Sequence, residues 1–339
     1  MCRRPGCTGQ TEVKNLYSID KATLAAESER TGFIRDNLEK VYRLLDILEF
    51  IDNNELLRNT LVLKGGTAIN LTIFDLPRLS VDIDLDFSRE CSKTEMLEYR
   101  QEIENILGRY MRAAGYFSDV GRAKAAHSLG SGVFVYENAG GNKDNIKIEI
   151  NYSMRSHVLK PELKEINFEF MQTPVSITSV EMTELFGSKI KALLERTAAR
   201  DLFDINNMIV AGLFSEPDEL NMLRKCMLFY KSVGSTGPFN KAIEFDRIDD
   251  LTFTALRQTL LPVLRKSEYV DLPGMKNNVK GFLTDLIVLD EREQLYLDEF
   301  GKGRYRPDLL FDDEDIIKRI DRHPMAIWKT SKIRESLER

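Results

Sequence analysis

A row of alternating acids is the strongest chemical feature of the sequence. Asp82, Asp84 and Asp86 alternate with apolar residues over 81–87, and a period of two predicts a β-strand with all three carboxylates on one face. Like charges at this spacing repel one another and carboxylates are poor strand formers, so a bound cation would explain the row. Hard oxygen ligands on one strand suit Mg²⁺. The alternative is the solvent-facing side of an edge strand.

Paired glycines precede the acid row at the end of another predicted strand. The apolar run 61–63 predicts a strand that stops at Lys64, and Gly65, Gly66 and Thr67 follow it before a helical stretch. Glycines allow a ligand to approach the backbone, and N–H groups at a helix start favour phosphate. We therefore predict a phosphate cradle beside a metal-binding strand, the layout of two-metal nucleotidyl transfer. A plain glycine-rich turn is the alternative.

Two further predicted elements carry candidate side chains. Glu149 lies on the polar face of the strand 146–150 and is the candidate third carboxylate, with a surface Lys–Glu strand face as the alternative. Lys189 lies on the apolar stripe of the helix 181–195, where an unpaired ammonium is costly. We expect it to meet an anion such as a bound triphosphate, unless it snorkels to solvent. Lys191 faces the other side and is expected to be solvated.

Charged residues also begin the helix predicted over 200–211, which Gly212 is expected to cap. Arg200 and Asp204 stand at i,i+4, a spacing that suits a structural ion pair or a role in the site, and Asp201 shares a face with Asp204. The three histidines are scattered and are expected to be structural or at the surface; they are His127, His157 and His323.

The remaining pattern supplies the elements that must position these residues. Apolar residues from Ile34 predict an amphipathic helix of about 18 residues, and a capping box over 92–95 opens another helix. Strands are predicted at 133–136 and 175–178, with a hairpin turn at 139–142. Beyond Gly212 the pattern is almost purely helical, most clearly at 251–264, 279–297 and 314–328. We predict a flexible N-terminus (1–30), an α/β (α+β) domain with a mixed sheet (31–212) and a mainly helical C-terminal domain (213–339).

Length and composition limit the class of protein. The 339 residues suit about two domains, and no apolar run approaches the roughly 18 residues of a membrane span. The N-terminal sequence has no apolar signal core, and four cysteines are too few for a disulfide scaffold. Cys2 and Cys7 lack a second pair that would complete a metal knuckle. A cytoplasmic protein with reduced thiols and no membrane partner is expected.

Charge argues against a general nucleic-acid coat protein but allows a local contact. The net charge is −6, whereas such proteins carry a basic excess. Residues 316–339 hold seven basic and three acidic side chains, so this segment is the best candidate for contacts with phosphate, through Lys318, Arg319 and Arg322. Trp328 is expected to pack a terminal helix, and no aromatic–basic stacking platform is visible.

Taken together, these motifs resemble the AbiEii/AbiGii toxin family of nucleotidyltransferases, within the DNA polymerase β-like superfamily. The resemblance spans about residues 30–330, and the combination of motifs is more specific than any one of them. The matching stretches are Leu63–Asn70, Arg78–Leu85, Lys189–Leu194 continuing to Arg200–Ile205, and the closing His323–Trp328.

The resemblance implies a polymerase β-like core with a helical C-terminal domain. It implies a toxin of a two-gene toxin–antitoxin or abortive phage infection system, with the antitoxin as a separate protein encoded next door. The reaction would transfer a nucleotide from an NTP, with Mg²⁺ (or Mn²⁺), to an acceptor hydroxyl, in some members at the end of tRNA. A small-molecule nucleotidyltransferase of the aminoglycoside-modifying type and a catalytically inactive binding module are the alternatives.

The resemblance also implies roles for individual residues. Gly65 and Thr67 would hold phosphates, Asp82 and Asp84 would hold metal, and Lys189 would contact the nucleotide. Asp204, or Asp201, would be the acid of the last motif. Glu149 would complete the metal site or act as the base. Gly66 stands where the superfamily often has serine, which leaves Thr67 to supply a hydroxyl.

Overall fold

The computed structural model describes residues 20–119, 121, 124–126, 129–171, 173–235 and 243–338. Cys2, Cys7 and His127 lie outside these residues, as do residues 1–19 of the predicted flexible N-terminus. The end of that segment forms a helix, α1 (Lys21–Thr31), in place of the irregular chain that we expected there. Asp20 caps this helix because its carboxylate accepts hydrogen bonds from the Ala22 and Thr23 amides.

A mixed sheet forms the centre of the molecule, as predicted. In the part of the chain that the structure describes, eight strands pair in the order β3-β5-β6-β2-β1-β8-β7, with β4 added to β5. The strands are β1 (Leu61–Lys64), β2 (Asp82–Phe87), β3 (Phe117–Ser118), β4 (Lys124–Ala126), β5 (Leu129–Glu137), β6 (Lys143–Asn151), β7 (Glu162–Ile166) and β8 (Val175–Ser179). The acid row lies on β2, which pairs antiparallel with β1 and parallel with β6. The row is therefore central, and the edge-strand alternative is wrong.

Helices cover the sheet, and among the described residues after Gly212 there are helices but no strands. Those of the first part are α2 (Arg35–Asn53), α3 (Glu55–Arg58), α4 (Gly65–Ala68, continued by one π-helical turn over Ile69–Ile73), α5 (Lys93–Ala113), α6 (Met182–Arg196) and α7 (Ala199–Val210). Those of the second part are α8 (Pro217–Gly234), α9 (Phe253–Thr259), α10 (Leu272–Leu286), α11 (Glu291–Gly301), α12 (Glu314–Ile320) and α13 (Pro324–Leu337). The predicted capping box is present at Ser92, which opens α5.

Two long helices predicted near the C-terminus are each divided in two. The pattern over 279–297 is split between α10 and α11, because Asp290 and Glu293 form a capping box that starts a new helix. The pattern over 314–328 is split between α12 and α13 at Pro324, with His323 as the N-cap. Proline favours the first turn of a helix and disrupts a helix interior, so Pro324 was the signal for this break.

One continuous hydrophobic core runs through both parts of the chain. It includes Leu63 and Ile148 of the sheet, Phe186 of α6 and Phe229 of α8, and α8 packs directly on α6. Gly212, where the domain boundary is predicted, has a left-handed φ of 62° and closes α7 as expected. Among the described residues, no helix is long and apolar enough to cross a membrane.

Candidate active site

The strand register brings Glu149 beside the acid row. Asp84 on β2 lies opposite Lys64 of the neighbouring strand β1, and opposite Glu149 of β6 on the other side. Adjacent strands lie roughly 4.8 Å apart, so carboxylates from distant parts of the chain become neighbours. Asp82 and Asp84 are half-buried, whereas Asp86 is buried.

The four acids differ in how their charges are compensated. Lys64 Nζ lies 2.5 Å from Asp86 Oδ1, and Lys147 Nζ lies 2.7 Å from Glu149 Oε2. Among the described residues, no ion pair reaches Asp82 or Asp84. Burial raises the pKa of Asp84, and the charges of Glu149 and Asp82 raise it further against the opposing effect of Lys64. Asp82 and Asp84 therefore form a pair of carboxylates that a cation would stabilise.

The donor chemistry of this pair suits a divalent metal. Carboxylate oxygens on one rigid strand are ligands of the kind that Mg²⁺ and Mn²⁺ take, and burial with the neighbouring carboxylates raises the pKa of Asp84 in spite of Lys64 and Lys189. Within the described ranges, however, no three His, Cys, Asp or Glu side chains are grouped to hold a metal ion. Glu149 is a neighbour of the pair but is not assembled with it into a three-ligand site.

The glycine turn packs directly against the acid row. Gly65 has a left-handed φ of 71°, and a Cβ there would lie 2.8 Å from Asp84 Oδ2, so only glycine fits. A Cβ at Gly66 would lie 2.6 Å from Arg78 Nη2, which explains why serine is absent at this position. Thr67 Oγ1 donates to the Asp82 carbonyl and lies 2.9 Å from Ser80 Oγ. The Thr67 hydroxyl therefore holds α4 to the start of β2.

A buried network of ion pairs lies behind the turn. Lys189 Nζ lies 3.0 Å from both Asp201 Oδ1 and Asp204 Oδ2. Arg78 Nε and Nη2 each donate to Asp204 over 2.7 Å, and Arg196 Nε and Nη2 donate to Asp201 over 2.6 and 2.8 Å. The bidentate geometry of both arginines fixes the two carboxylates in place.

Charge compensation in this network is strong enough to overcome burial. Burial by itself would raise the pKa of Asp204, but Arg78 and Lys189 outweigh it and lower that pKa to about 2. The pKa of Asp201 is also lowered, because Lys189 and Arg196 outweigh the effect of burial. The anion that Lys189 was expected to meet is thus supplied by the protein itself, and Lys189 does not snorkel, since only 6% of it is exposed.

The network differs from the pairing that the sequence suggested for α7. The Arg200–Asp204 ion pair is not formed, because Arg200 Nε donates to the Thr259 carbonyl at 2.6 Å. Asp204 is instead bound by Arg78, which our sequence reasoning did not select. Arg78 opens the matching stretch Arg78–Leu85, but the sequence gives it no partner, because Asp204 lies 126 residues further along the chain.

A cleft of about 400 Å³ opens over the turn and the acid row. Its first wall carries the chemical groups: Lys64, Gly65, Gly66, Asp84, Asp86, Asn151, Ser153, Lys189, Lys191 and Arg196. Helices of the C-terminal part supply the second wall through Tyr230, Val233, Gly234 and Met325.

The expectation of a solvated Lys191 is wrong, because its side chain is 19% exposed and lies 2.6 Å from Glu195. The cleft thus joins two carboxylates, Asp84 and Asp86, to four cations.

The described histidines are buried, whereas Trp328, at the end of the closing His-Pro-Met-Ala-Ile-Trp stretch, is exposed. His323 is fully buried, and burial lowers its pKa to about 3, which agrees with a structural role. His157 is also buried, beside Glu184, with Nδ1 3.5 Å from Oε1. Trp328 is 53% exposed on α13, so the prediction that it packs a terminal helix is wrong.

Comparison with known proteins agrees with this arrangement. The model of the family described as nucleotidyl transferase AbiEii toxin, type IV toxin–antitoxin system, matches residues 49–278, about two thirds of the chain. The fold is similar to that of the solved nucleotidyltransferase toxin MenT4 from Mycobacterium tuberculosis, with a TM-score of 0.60 at 16% identity over 91% of this chain and 99% of that one. A search of curated protein sequences finds no match. The matched stretch contains the acid row, the glycine turn and the buried ion network, and the chain belongs to the AbiEii family of nucleotidyltransferase toxins of type IV toxin–antitoxin systems.

Proposed function

We propose that this nucleotidyltransferase transfers a nucleoside monophosphate from an NTP to an acceptor hydroxyl at an RNA end, such as the end of tRNA. The observation that carries the proposal is the cleft in which Asp84, the Gly65–Gly66 turn and the Lys64, Lys191 and Arg196 cations meet. The acceptor hydroxyl attacks the α-phosphate in line, one P–O bond forms as another breaks, and pyrophosphate leaves. The proton of the hydroxyl passes to a base, for which Glu149 is the candidate.

Asp82 and Asp84, with Glu149 beside them, are the residues that would hold Mg²⁺ or Mn²⁺. A bound divalent ion supplies charge stabilisation at the phosphate oxygens and lowers the pKa of a bound hydroxyl. Gly65 and Gly66 line the same cleft, and the main-chain N–H groups of this turn would bind phosphate there.

The cations of the cleft would bind the triphosphate. Lys64, Lys191 and Arg196 each have one carboxylate partner, in Asp86, Glu195 and Asp201, and each also lines the cleft. Lys189 reaches the cleft from within the buried network. We propose that Asp201 and Asp204 act by orienting Lys189 and Arg196, so that they are positioning residues.

Labelling of an acceptor tests the proposal directly. The protein is incubated with each radiolabelled NTP, Mg²⁺ and total RNA, and we expect label in RNA that depends on the metal and is absent with Asp84→Asn. Label in a low-molecular-weight product would favour the small-molecule alternative. Absence of any Mg²⁺-dependent NTP binding would overturn the proposal in favour of an inactive module.

The family implies two further features that we include in the proposal. A separately encoded antitoxin protein is the expected partner, and a role in defence against phage is the expected context. NTPs and RNA are cytoplasmic substrates, so we propose that the protein acts in the cytoplasm. Co-purification of the tagged protein with the product of the adjacent gene is the test of the partner.

A further inference from the structure

A second cavity, of about 680 Å³, adjoins the cleft and is lined mainly by cations. We call it the basic groove, and define it by Glu90, Cys91, Arg155, Ser156, Lys318, Arg319, Arg322, Pro324, Ile327 and Trp328. Four of these side chains are basic and one is acidic. The groove combines the segments that follow β2 and β6 with the α12–α13 corner, so residues far apart in sequence form one electropositive surface.

Two of the four cations, Lys318 and Arg322, are exposed and available to a ligand. Arg322 is exposed, and no ion pair or hydrogen bond reaches its guanidinium from the described residues. Lys318 is 71% exposed and lies 3.7 and 4.0 Å from Glu314 and Asp315, distances typical of weak surface pairs. Arg155 is half-buried: its Nη1 donates to the Cys91 carbonyl at 3.0 Å, and its Nε is buried without a partner in the described part of the chain. Arg319, by contrast, donates to the Val158 carbonyl at 2.5 Å and supports the groove.

An exposed aromatic residue stands beside these cations. Trp328 and Ile327 are 53% and 47% exposed on α13, so the indole is accessible to a ligand in the groove. Base stacking on an aromatic ring, together with backbone contacts from Arg and Lys, is how proteins bind single-stranded nucleic acid. The tertiary structure thus creates the aromatic–basic platform that is invisible in the sequence, where Arg155 and Trp328 are far apart.

Two segments of chain connect the basic groove to the cleft. After β6, Asn151, Ser153 and Met154 line the cleft, and the next two residues, Arg155 and Ser156, line the groove. In the first turn of α13, Pro324 faces the groove and Met325 faces the cleft. The groove and the cleft therefore lie on either side of the same two short segments of chain.

We propose that the basic groove binds the unpaired strand of the RNA acceptor, with a base stacked on Trp328 and phosphates on Arg322, Lys318 and Arg155. The inference rests on the proposed function for the identity of the acceptor, and it assigns the surface on which that acceptor docks. Four cations favour a polyanion, and the indole favours one with exposed bases over a duplex or an acidic peptide.

Trp328 reports on the groove directly, because it is the only tryptophan of the chain. Titration of the intact protein with a short unstructured RNA, without NTP or metal, should quench the tryptophan fluorescence. The same RNA annealed to its complement should quench it less, since its bases are already stacked. Arg322→Ala should flatten the dependence of log affinity on log salt by about 0.7. Arg257→Ala is the matched control, because Arg257 is also exposed but lies outside the groove, and should leave the slope unchanged.

Variants of the tryptophan separate stacking from folding. By anisotropy of a labelled RNA, Trp328→Ala should weaken binding roughly tenfold and Trp328→Phe much less, because phenylalanine still stacks. Tyr269→Ala removes an aromatic that is 86% exposed elsewhere and should have no effect. Thermal denaturation of each variant confirms that folding is retained.

The outcomes distinguish this inference from the proposed function. If the protein labels RNA but Trp328 is not quenched and Trp328→Ala binds normally, the groove is not the docking surface and the proposed function stands. If RNA quenches Trp328 but is never labelled, the groove stands and the proposed function fails. Equal quenching by poly-glutamate would overturn the inference in favour of an acidic protein partner.

Discussion

Asp84 carries an electrostatic cost in the free protein that points to its function. It is half-buried, flanked by Asp82 on its own strand and by Glu149 on the next, and its pKa is raised by burial and by both neighbours. A structural role would not favour such an arrangement, since each like charge destabilises the fold. The cost is offset when a cation binds.

Replacement of Asp84 should therefore separate activity from stability. Asp84→Asn should lower nucleotide transfer by about a hundredfold or more, because loss of a metal ligand removes several kcal/mol of transition-state stabilisation. The metal-free variant should melt at the same temperature as the wild type or higher, because a charge that burial disfavours is gone. Transfer assays and thermal denaturation check the two parts, with the exposed Asp75 as a control position. Wild-type transfer by Asp84→Asn would refute the assignment.

Asp204 shows the opposite behaviour, since its charge is compensated by Arg78 and Lys189. Asp204→Asn should destabilise the protein by about 3–5 kcal/mol, because it leaves two buried cations with less compensation. Its folded pKa of about 2 lies below the ordinary value of 3.8. The stability that it contributes is therefore complete above pH 4 and is lost as pH falls towards 2.

Urea unfolding at several pH values measures this effect. The difference in free energy of unfolding between wild type and Asp204→Asn should narrow as the pH is lowered below about 4. Asp308→Asn is the control, because Asp308 pairs with Arg306 on the surface and should contribute at most about 1 kcal/mol. A difference that stays constant with pH would mean that the Asp204 charge is not what stabilises the fold.

At the scale of elements, the turn from β1 into α4 joins the acid row to the buried network. Gly65 lies against Asp84 and Gly66 lies against Arg78, with no room for a side chain at either position. Arg78 is itself held by Asp204 and by the Leu79 carbonyl, 3.0 Å from Nη1. The turn is therefore a rigid contact between the two groups of charges.

This packing predicts that the serine common in the superfamily is unfavourable here. Gly66→Ser would place Cβ 2.6 Å from Arg78 Nη2, and displacement of that guanidinium should cost about 1–3 kcal/mol of stability. Gly281→Ser, in α10 with nothing within 4 Å of the added Cβ, should be neutral or slightly stabilising. Urea denaturation compares the two variants, and equal stabilities would show that Arg78 moves aside without cost.

The whole molecule builds its cleft from both parts of the chain. The acid row comes from the sheet and the glycine turn from the start of α4, while Tyr230 of α8 and Met325 of α13 also line the cleft. Because one hydrophobic core connects the two parts, the helical region is a fixed wall of the cleft. Its exposed Trp328 then extends the same surface beyond the cleft.

For the whole molecule, we predict that the protein is toxic to its host and that this toxicity requires nucleotide transfer. Expression of the chain alone should slow growth of the host, because a nucleotide added to an RNA end blocks the normal use of that end. Asp84→Asn expressed at the same level should leave growth unchanged, and co-expression of the antitoxin should restore growth with the wild type. Growth curves with matched protein levels test this. A growth defect that persists in Asp84→Asn would separate toxicity from transfer.

Local pattern was sufficient for the elements that carry the site. A period of two placed Asp82, Asp84 and Asp86 on one face of a strand, and a helical period placed Lys189 on a buried face. Both follow from geometry within a few residues. The same locality explains the errors: β7 was not predicted, because most of its side chains are exposed or half-buried and its sequence shows no alternation of apolar and polar residues.

Partners across the sheet and between helices were decided only by the tertiary structure. The sequence by itself determined that Lys189 needs an anion, because a buried ammonium is costly, but it could not show that Asp201 and Asp204 supply it. Arg78 binds Asp204, which lies 126 residues further along the chain. Trp328 is exposed because the elements around it leave a groove. A residue's own type and spacing set what it requires, whereas the fold sets which group is close enough to meet that requirement.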